Sequence, residues 1–354
     1  MSARTPPTRR RLLAGLAGMG LLGAAGCAPR MALVAPALRL PPSVPAVSAG
    51  EAPALQRIHL LAADRAIPGL RMADGTGLGA AIVDISIPPN HRPGRIEYVP
   101  DGDPARSFAI AAARALPSSR ALADAAADAL RPGEEIHVFV HGYNNTAAEA
   151  AFRHAQIAHD YTNAGAGGGP QITFHWPSAA RAFGYVADRD AALAARADLE
   201  GLLLRLVARA PGRVVLVGHS MGAFLSMETL ARMTAARPGI ARRLGGVVLV
   251  SPDIAIDVFR AQLDRIGPKP DQFVVTTSQA DRALGLSAWL TGQTSRLGST
   301  SDVDRLRARG ITVIDLTDEA EGGNNHSTFA ASPGAIRLIA GLAETGGLVD
   351  RRGL

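Results

Sequence analysis

The stretch Val214-Val215-Leu216-Val217-Gly218-His219-Ser220-Met221-Gly222-Ala223-Phe224-Leu225 sets two structural signals back to back. A run of β-favouring apolar residues reads as a buried strand, and Phe224, Leu225, Met227 and Leu230 then recur at helical spacing. Between them lies a G-x-S-x-G turn. The pattern alone is weak, but a strand running through such a turn straight into a helix is the context a nucleophile elbow requires. Small residues on both sides of Ser220 make room for a sharp turn. The helix start behind it favours negative charge. Ser220 is therefore the candidate nucleophile, and the backbone N–H of Met221 a candidate oxyanion donor. The plainer alternative is a helix-capping serine in a Gly-rich turn.

Outward from this point, short apolar runs alternate with helical patterns. Residues 58–61, 81–85, 135–140, 171–174, 213–217, 246–250, 273–277 and 311–316 read as strands. Residues 147–161, 220–235 and 335–344 read as helices, and 189–208 as one long amphipathic helix. Strands that are nearly continuous in apolar residues, with helices between them, imply an α/β fold built on a mostly parallel, doubly covered sheet. In such sheets ligands sit beyond the carboxyl ends of the strands, so the residues just after each strand are the ones to read.

Of nine histidines only His326 follows Ser220, and it lies in a loop about ten residues past the strand that ends at Leu316. It is the candidate base, since an elbow of this kind takes its partners in the chain order serine, acid, histidine. The acid has two candidates: Asp281, four residues past Thr277, and Asp253 in Ser251-Pro252-Asp253 after Val250. Asp281 is preferred and Asp253 is the alternative. The loop after Val140, His141-Gly142-Tyr143-Asn144-Asn145, is the expected source of the second oxyanion donor. Tyr143 N–H is the first candidate and Asn144 the second, with His141 read as a structural, hydrogen-bonded residue.

His141-Gly142-Tyr143-Asn144-Asn145, Phe174-His175-Trp176-Pro177-Ser178, Gly218-His219-Ser220-Met221-Gly222, Ser251-Pro252-Asp253-Ile254 and Asn325-His326-Ser327 follow one another in the order found in a known family. Ile85-Ser86-Ile87-Pro88-Pro89-Asn90-His91 is similar to its N-terminal segment. Together they resemble a bacterial family of esterase- and lipase-like α/β-hydrolases of unknown function, over roughly residues 56–345. The resemblance implies an α/β-hydrolase fold and a Ser220, Asp281, His326 triad, and it leaves the substrate open.

The expected chemistry is acyl transfer to water on a small acyl-ester substrate, through an acyl-enzyme. Amide or peptide hydrolysis would use the same triad, and a non-catalytic envelope-binding role is a third reading. An intact Ser220 and His326 pair counts against the third. No cofactor or metal is expected, since a triad needs neither. Asp281 to Ile311 is an insertion whose Leu284, Leu286, Trp289 and Leu290 read as packing, with a lid as the alternative.

The N-terminus carries a separate message. Arg9-Arg10-Arg11 precedes an apolar run from Leu12 to Ala25, too short to span a membrane and flanked like an export signal. Thr8-Arg9-Arg10-Arg11-Leu12-Leu13 resembles a twin-arginine signal. Ala24-Ala25-Gly26-Cys27 resembles a lipobox, although leucine is commoner where Ala24 stands, and Cys27 is the single cysteine of the chain. These features divide the chain into a signal at 1–26, a proline-rich tether at 27–55 and a catalytic domain at 56–350, held to the membrane by lipid on Cys27. The implied location is the bacterial cell envelope, at the outer membrane facing the periplasm, with a free periplasmic protein as the alternative. The formal charge is +6. Removing Arg4, Arg9, Arg10 and Arg11 with the leader takes four of those charges and leaves +2, spread without a basic stripe. A nucleic-acid partner is excluded on that ground.

Overall fold

The computed structural model describes residues 31, 52–63, 79–99, 103–181, 183–290, 296–300, 303–320 and 325–344. The signal, Cys27 and nearly all of the tether lie outside the described residues. Nine strands form one sheet: β1 (Ala54–Ala62), β2 (Ala80–Ile87), β3 (Ala109–Ala115), β4 (Ile136–Val140), β5 (Gln171–His175), β6 (Val214–His219), β7 (Gly246–Val250), β8 (Gln272–Thr277) and β9 (Thr312–Asp315). Their spatial order is β3-β2-β1-β5-β4-β6-β7-β8-β9. The β1–β2 and β2–β3 pairs are antiparallel and every other pair is parallel. This is the doubly covered, mostly parallel sheet expected from the sequence.

Helices cover both faces because successive strand residues point to opposite sides. On one face α1 (Ser119–Asp128), α3 (Tyr185–Ala194), α4 (Arg196–Arg209), α5 (Met221–Ala236), α6 (Ile256–Ile266) and α8 (Val303–Arg307) share a core with Val138, Leu216, Leu249 and Val275. On the other face α2 (Ala147–Asn163) packs on β1 and β2 through Ala151, Phe152 and Ala155. There α9 (Thr328–Ala331) and α10 (Pro333–Glu344) pack on Val250, Val274 and Ile314. The remaining helix, α7 (Arg282–Leu290), follows β8.

The structure corrects the single helix expected over 189–208. Two helices meet at Ala195, because the Leu193 carbonyl is taken by the Arg196 side chain at 2.8 Å. The first of them starts four residues earlier, at Tyr185. Strand β3 was not expected: Ala-Ile-Ala-Ala-Ala-Arg-Ala has little β-propensity, and it is a strand only because β2 offers it a free edge. In the insertion after Asp281, Leu284 is buried as packing. The side chains of Leu286, Trp289 and Leu290 lie outside the described residues.

Strand register decides where the chemistry can sit. Val140 pairs with Gly218, His219 with Val250, and Thr277 with Asp315, so the carboxyl ends of β4, β6, β7, β8 and β9 form one rim. The loops that carry the expected site residues all leave from that rim.

Candidate active site

Ser220 joins β6 to α5 with φ +54° and ψ −118°, a conformation that non-glycine residues rarely adopt. Three backbone hydrogen bonds hold it: Ser220 N–H to Val250 O at 3.0 Å, Asp253 N–H to Ser220 O at 3.2 Å, and Ala223 N–H to Ser220 O at 3.0 Å. Both flanking glycines are sterically required. A Cβ on Gly218 would lie 2.7 Å from Ala223 Cα, and one on Gly222 would run into the carbonyl oxygens of Val140 and His141. The G-x-S-x-G pattern thus lets α5 press against the end of β4. Strain of this kind clusters at functional sites.

Asp281 and His326 come together beyond β8 and β9. His326 Nδ1 lies 2.8 Å from Asp281 Oδ2, while Asp281 Oδ1 accepts the N–H groups of Ala283 at 3.1 Å and Leu284 at 3.2 Å. The Asp281 side chain is fully enclosed and that of His326 is 15% exposed. The His326 ring packs against that of His219, the residue before Ser220, with centroids 4.9 Å apart. His219 Nε2 approaches the His326 carbonyl at 3.3 Å, and the Asn325 side-chain amide donates to Ala280 O at 3.3 Å. These contacts seat the histidine loop beside the elbow.

Asp253 is engaged elsewhere. Its Oδ2 accepts the Tyr185 hydroxyl at 2.7 Å and its Oδ1 accepts the Ser287 hydroxyl at 2.5 Å. Arg296 Nε pairs with Oδ1 at 3.3 Å, and both side chains are almost wholly buried. Burial and the adjacent carboxylate push the Tyr185 phenol up to about 12, so it remains a donor. Tyr185, Ser287 and Arg296 lie far from Asp253 in sequence, and nothing in the spacing announces the cluster.

The loop after β4 is held from beneath. A Cβ on Gly142 would sit 3.0 Å from Ser220 Cβ, which places this loop directly against the elbow. His141 is buried and stacks on Trp176 with ring centres 4.8 Å apart, and its Nε2 lies 2.9 Å from His175 Nδ1. Burial lowers the pKa of His141 to about 4 and, with help from His141 itself, that of His175 to about 2. Burial likewise holds His219 well below the ordinary imidazole range. All three are therefore neutral at pH 7, in line with the structural role expected for His141. Asn144 has φ +61°, and its N–H donates to Asp188 Oδ2 at 3.3 Å. Buried Asp188 also accepts the Ser178 hydroxyl at 2.5 Å and the Ala179 N–H at 2.6 Å. It ties the loops after β4 and β5 together, and as a lone aspartate just before the helix expected from 189 it left no mark in the sequence. Met221 thus follows Ser220 directly, Tyr143 follows the Gly142 that packs on the elbow, and the Asn144 N–H is engaged with Asp188.

No curated protein sequence matches this chain. Among solved structures it is similar to a fungal esterase from Rhizomucor miehei, at 13% identity and a TM-score of 0.38, covering 84% of each chain. It is also similar to EstE1, a thermophilic carboxylesterase from a metagenomic library (10% identity, TM-score 0.37, 84% of this chain and 91% of that one). A Pyrobaculum calidifontis esterase gives 13% identity and a TM-score of 0.34, with 82% and 85% covered. Residues 121–341 match the family model described as alpha/beta hydrolase of unknown function (DUF900), and with well over half its length inside that match the chain belongs to this family.

Proposed function

We propose that the protein is a serine hydrolase of carboxylic esters. The reading is carried by the convergence of the strained Ser220 elbow with the Asp281–His326 pair, whose ring packs beside it. Ser220 Oγ attacks the ester carbonyl carbon while His326 takes its proton. Asp281 accepts the Nδ1–H of His326, fixes the ring and stabilises the imidazolium. The N–H groups of Met221 and Tyr143 receive the negative charge that develops on the carbonyl oxygen. His326 then returns the proton to the departing alcohol, leaving Ser220 acylated. Water, deprotonated by the same imidazole, releases the acid and restores the serine.

A fluorophosphonate probe tests this directly, because it phosphonylates the activated serine of a serine hydrolase. Incubated with the purified chain lacking residues 1–27, it is expected to add one phosphonyl group, located by peptide mass on Ser220. An intact mass unchanged after prolonged exposure would refute the hydrolase reading.

We also propose that the mature chain begins at Cys27 and carries acyl chains there, which the sequence motifs support. Two or more chains hold a protein firmly at a bilayer where one does so only marginally. The parent should stay membrane-bound through salt washes and partition into detergent, and Cys27→Ser should not. Identical fractionation of the two, with no lipid in the parent's mass, would make this a free periplasmic protein.

A further inference from the structure

The segment after β2, residues 88–98, lies against α2, and two imidazoles meet two carboxylates there. His91 is engaged at both ring nitrogens: Nδ1 is 2.8 Å from Glu97 Oε2 and Nε2 is 2.8 Å from Asp160 Oδ1. His159, next to Asp160 on α2, meets His91 edge-on with ring centroids 5.4 Å apart. One nitrogen from each ring and one Asp160 oxygen all lie within 4.8 Å of one another. The other Asp160 oxygen accepts the Gly94 N–H at 2.7 Å and the Gln156 amide at 2.6 Å.

We propose that His91, His159 and Asp160 form a binding site for a divalent zinc-class cation. Two imidazoles and a carboxylate are a donor set that suits zinc and its neighbours better than calcium or magnesium, which take oxygen ligands. The surroundings are those of a ligand sphere. A metal-bound imidazole commonly gives its other N–H to a carboxylate, as His91 Nδ1 can to Glu97, and a ligating carboxylate is itself hydrogen-bonded, as Asp160 is. Both neighbours of His91 are acceptors, so its Nε2 must present either a proton or a lone pair turned to a cation. A proton alone would satisfy His91 and Asp160 and leave His159 to the Asn163 side-chain amide, 2.9 Å from its Nε2. The cation uses all three. Tetrahedral bonds of about 2.0–2.1 Å set donors about 3.3 Å apart, so a cation opens the 2.8 Å His91–Asp160 contact by about half an ångström and draws His159, within 4.8 Å of both, inward.

The site is joined to the histidine loop through α2. Gln156, which donates to Asp160, also donates to Ala330 O at 3.0 Å, and Tyr161 donates to Phe329 O at 2.8 Å. Gly94 packs so closely on Ala331 that a Cβ there would strike its carbonyl oxygen. A bound cation would thus stiffen the support of residues 325–331 without touching substrate.

The test uses untagged chain lacking residues 1–27, stripped with a chelator. Hydrogen bonds to Asp160 and Glu97 overcome the effect of burial and raise the His91 pKa, so zinc titrations are run at about pH 8, where proton competition is weakest. Calorimetry should give one tightly bound zinc per chain and thermal melts a higher Tm in its presence. His159→Gln, at a half-buried position, should fold normally and lose at least 10-fold in zinc affinity. His91→Gln should lose the zinc-dependent rise in Tm. His326→Ala, which removes the other histidine paired with a carboxylate, should bind zinc like the parent. Absence of stoichiometric binding by the parent, or binding undiminished in both His159→Gln and His91→Gln, overturns the proposal. Because no readout is catalytic, the result stands apart from the esterase reading.

Discussion

Ser220→Ala should reduce hydrolysis of short p-nitrophenyl esters by roughly 10⁴-fold or more, the usual cost of removing a triad nucleophile. The change removes one oxygen from a side chain that makes no structural hydrogen bond among those described, whereas the backbone of the turn keeps its three. The variant should therefore fold and melt as the parent does. The strained φ of +54° is imposed by Val250, Asp253 and Ala223 rather than by the hydroxyl, so alanine inherits it. Loss of turnover at constant Tm is the expected result. Unchanged turnover would remove Ser220 from the chemistry.

The two candidate acids should fail in opposite ways. Asp281→Asn keeps the size of the side chain but cannot stabilise an imidazolium, and a fall of about 10⁴-fold in kcat is expected with little change in Tm. Asp253→Asn instead strips the negative partner from Arg296, which is 1% exposed. Breaking a buried ion pair from one side typically costs about 3–5 kcal/mol, because the remaining charge is stranded. A large drop in Tm is expected, with turnover per folded molecule largely kept. Thermal melts and active-site titration on both variants separate the outcomes. If Asp253→Asn melts normally and loses turnover while Asp281→Asn retains it, the acid belongs to β7.

The difficulty of choosing between these aspartates shows where sequence reading stops. The elbow was legible because a continuously apolar run and a helical run meet at a serine between two glycines, all within a dozen residues. His326 was legible by elimination. The carboxylates could be ranked, Asp281 before Asp253, but not told apart by role, since β7 and β8 each end a few residues before an aspartate and both stations suit an acid. What distinguishes them is company: Tyr185 and Ser287 stand 68 and 34 residues from Asp253 in the chain. Pairings of that range follow from tertiary packing and leave no local period. Asp188 was missed for the same reason. The parallel strands were legible because burial on both faces makes them continuously apolar. Alanine-rich β3 has no such mark and is defined by its neighbour.

The loop bearing His326 is gripped by its main chain. Tyr161 and Gln156 reach the carbonyls of residues 329 and 330, across 168 and 174 positions of sequence, and Thr328 closes on the Asn325 carbonyl. A carbonyl is offered by every amino acid, so these bonds do not read the side chains at 329 and 330, which are held by packing instead. The instructions for placing the histidine are written instead in the C-terminal half of α2, where a glutamine and a tyrosine one helical turn and a residue apart have no substitute of equal reach. In a mutational scan, Gln156 and Tyr161 should therefore prove as strict as the loop they hold, although the helix that carries them takes no part in the chemistry.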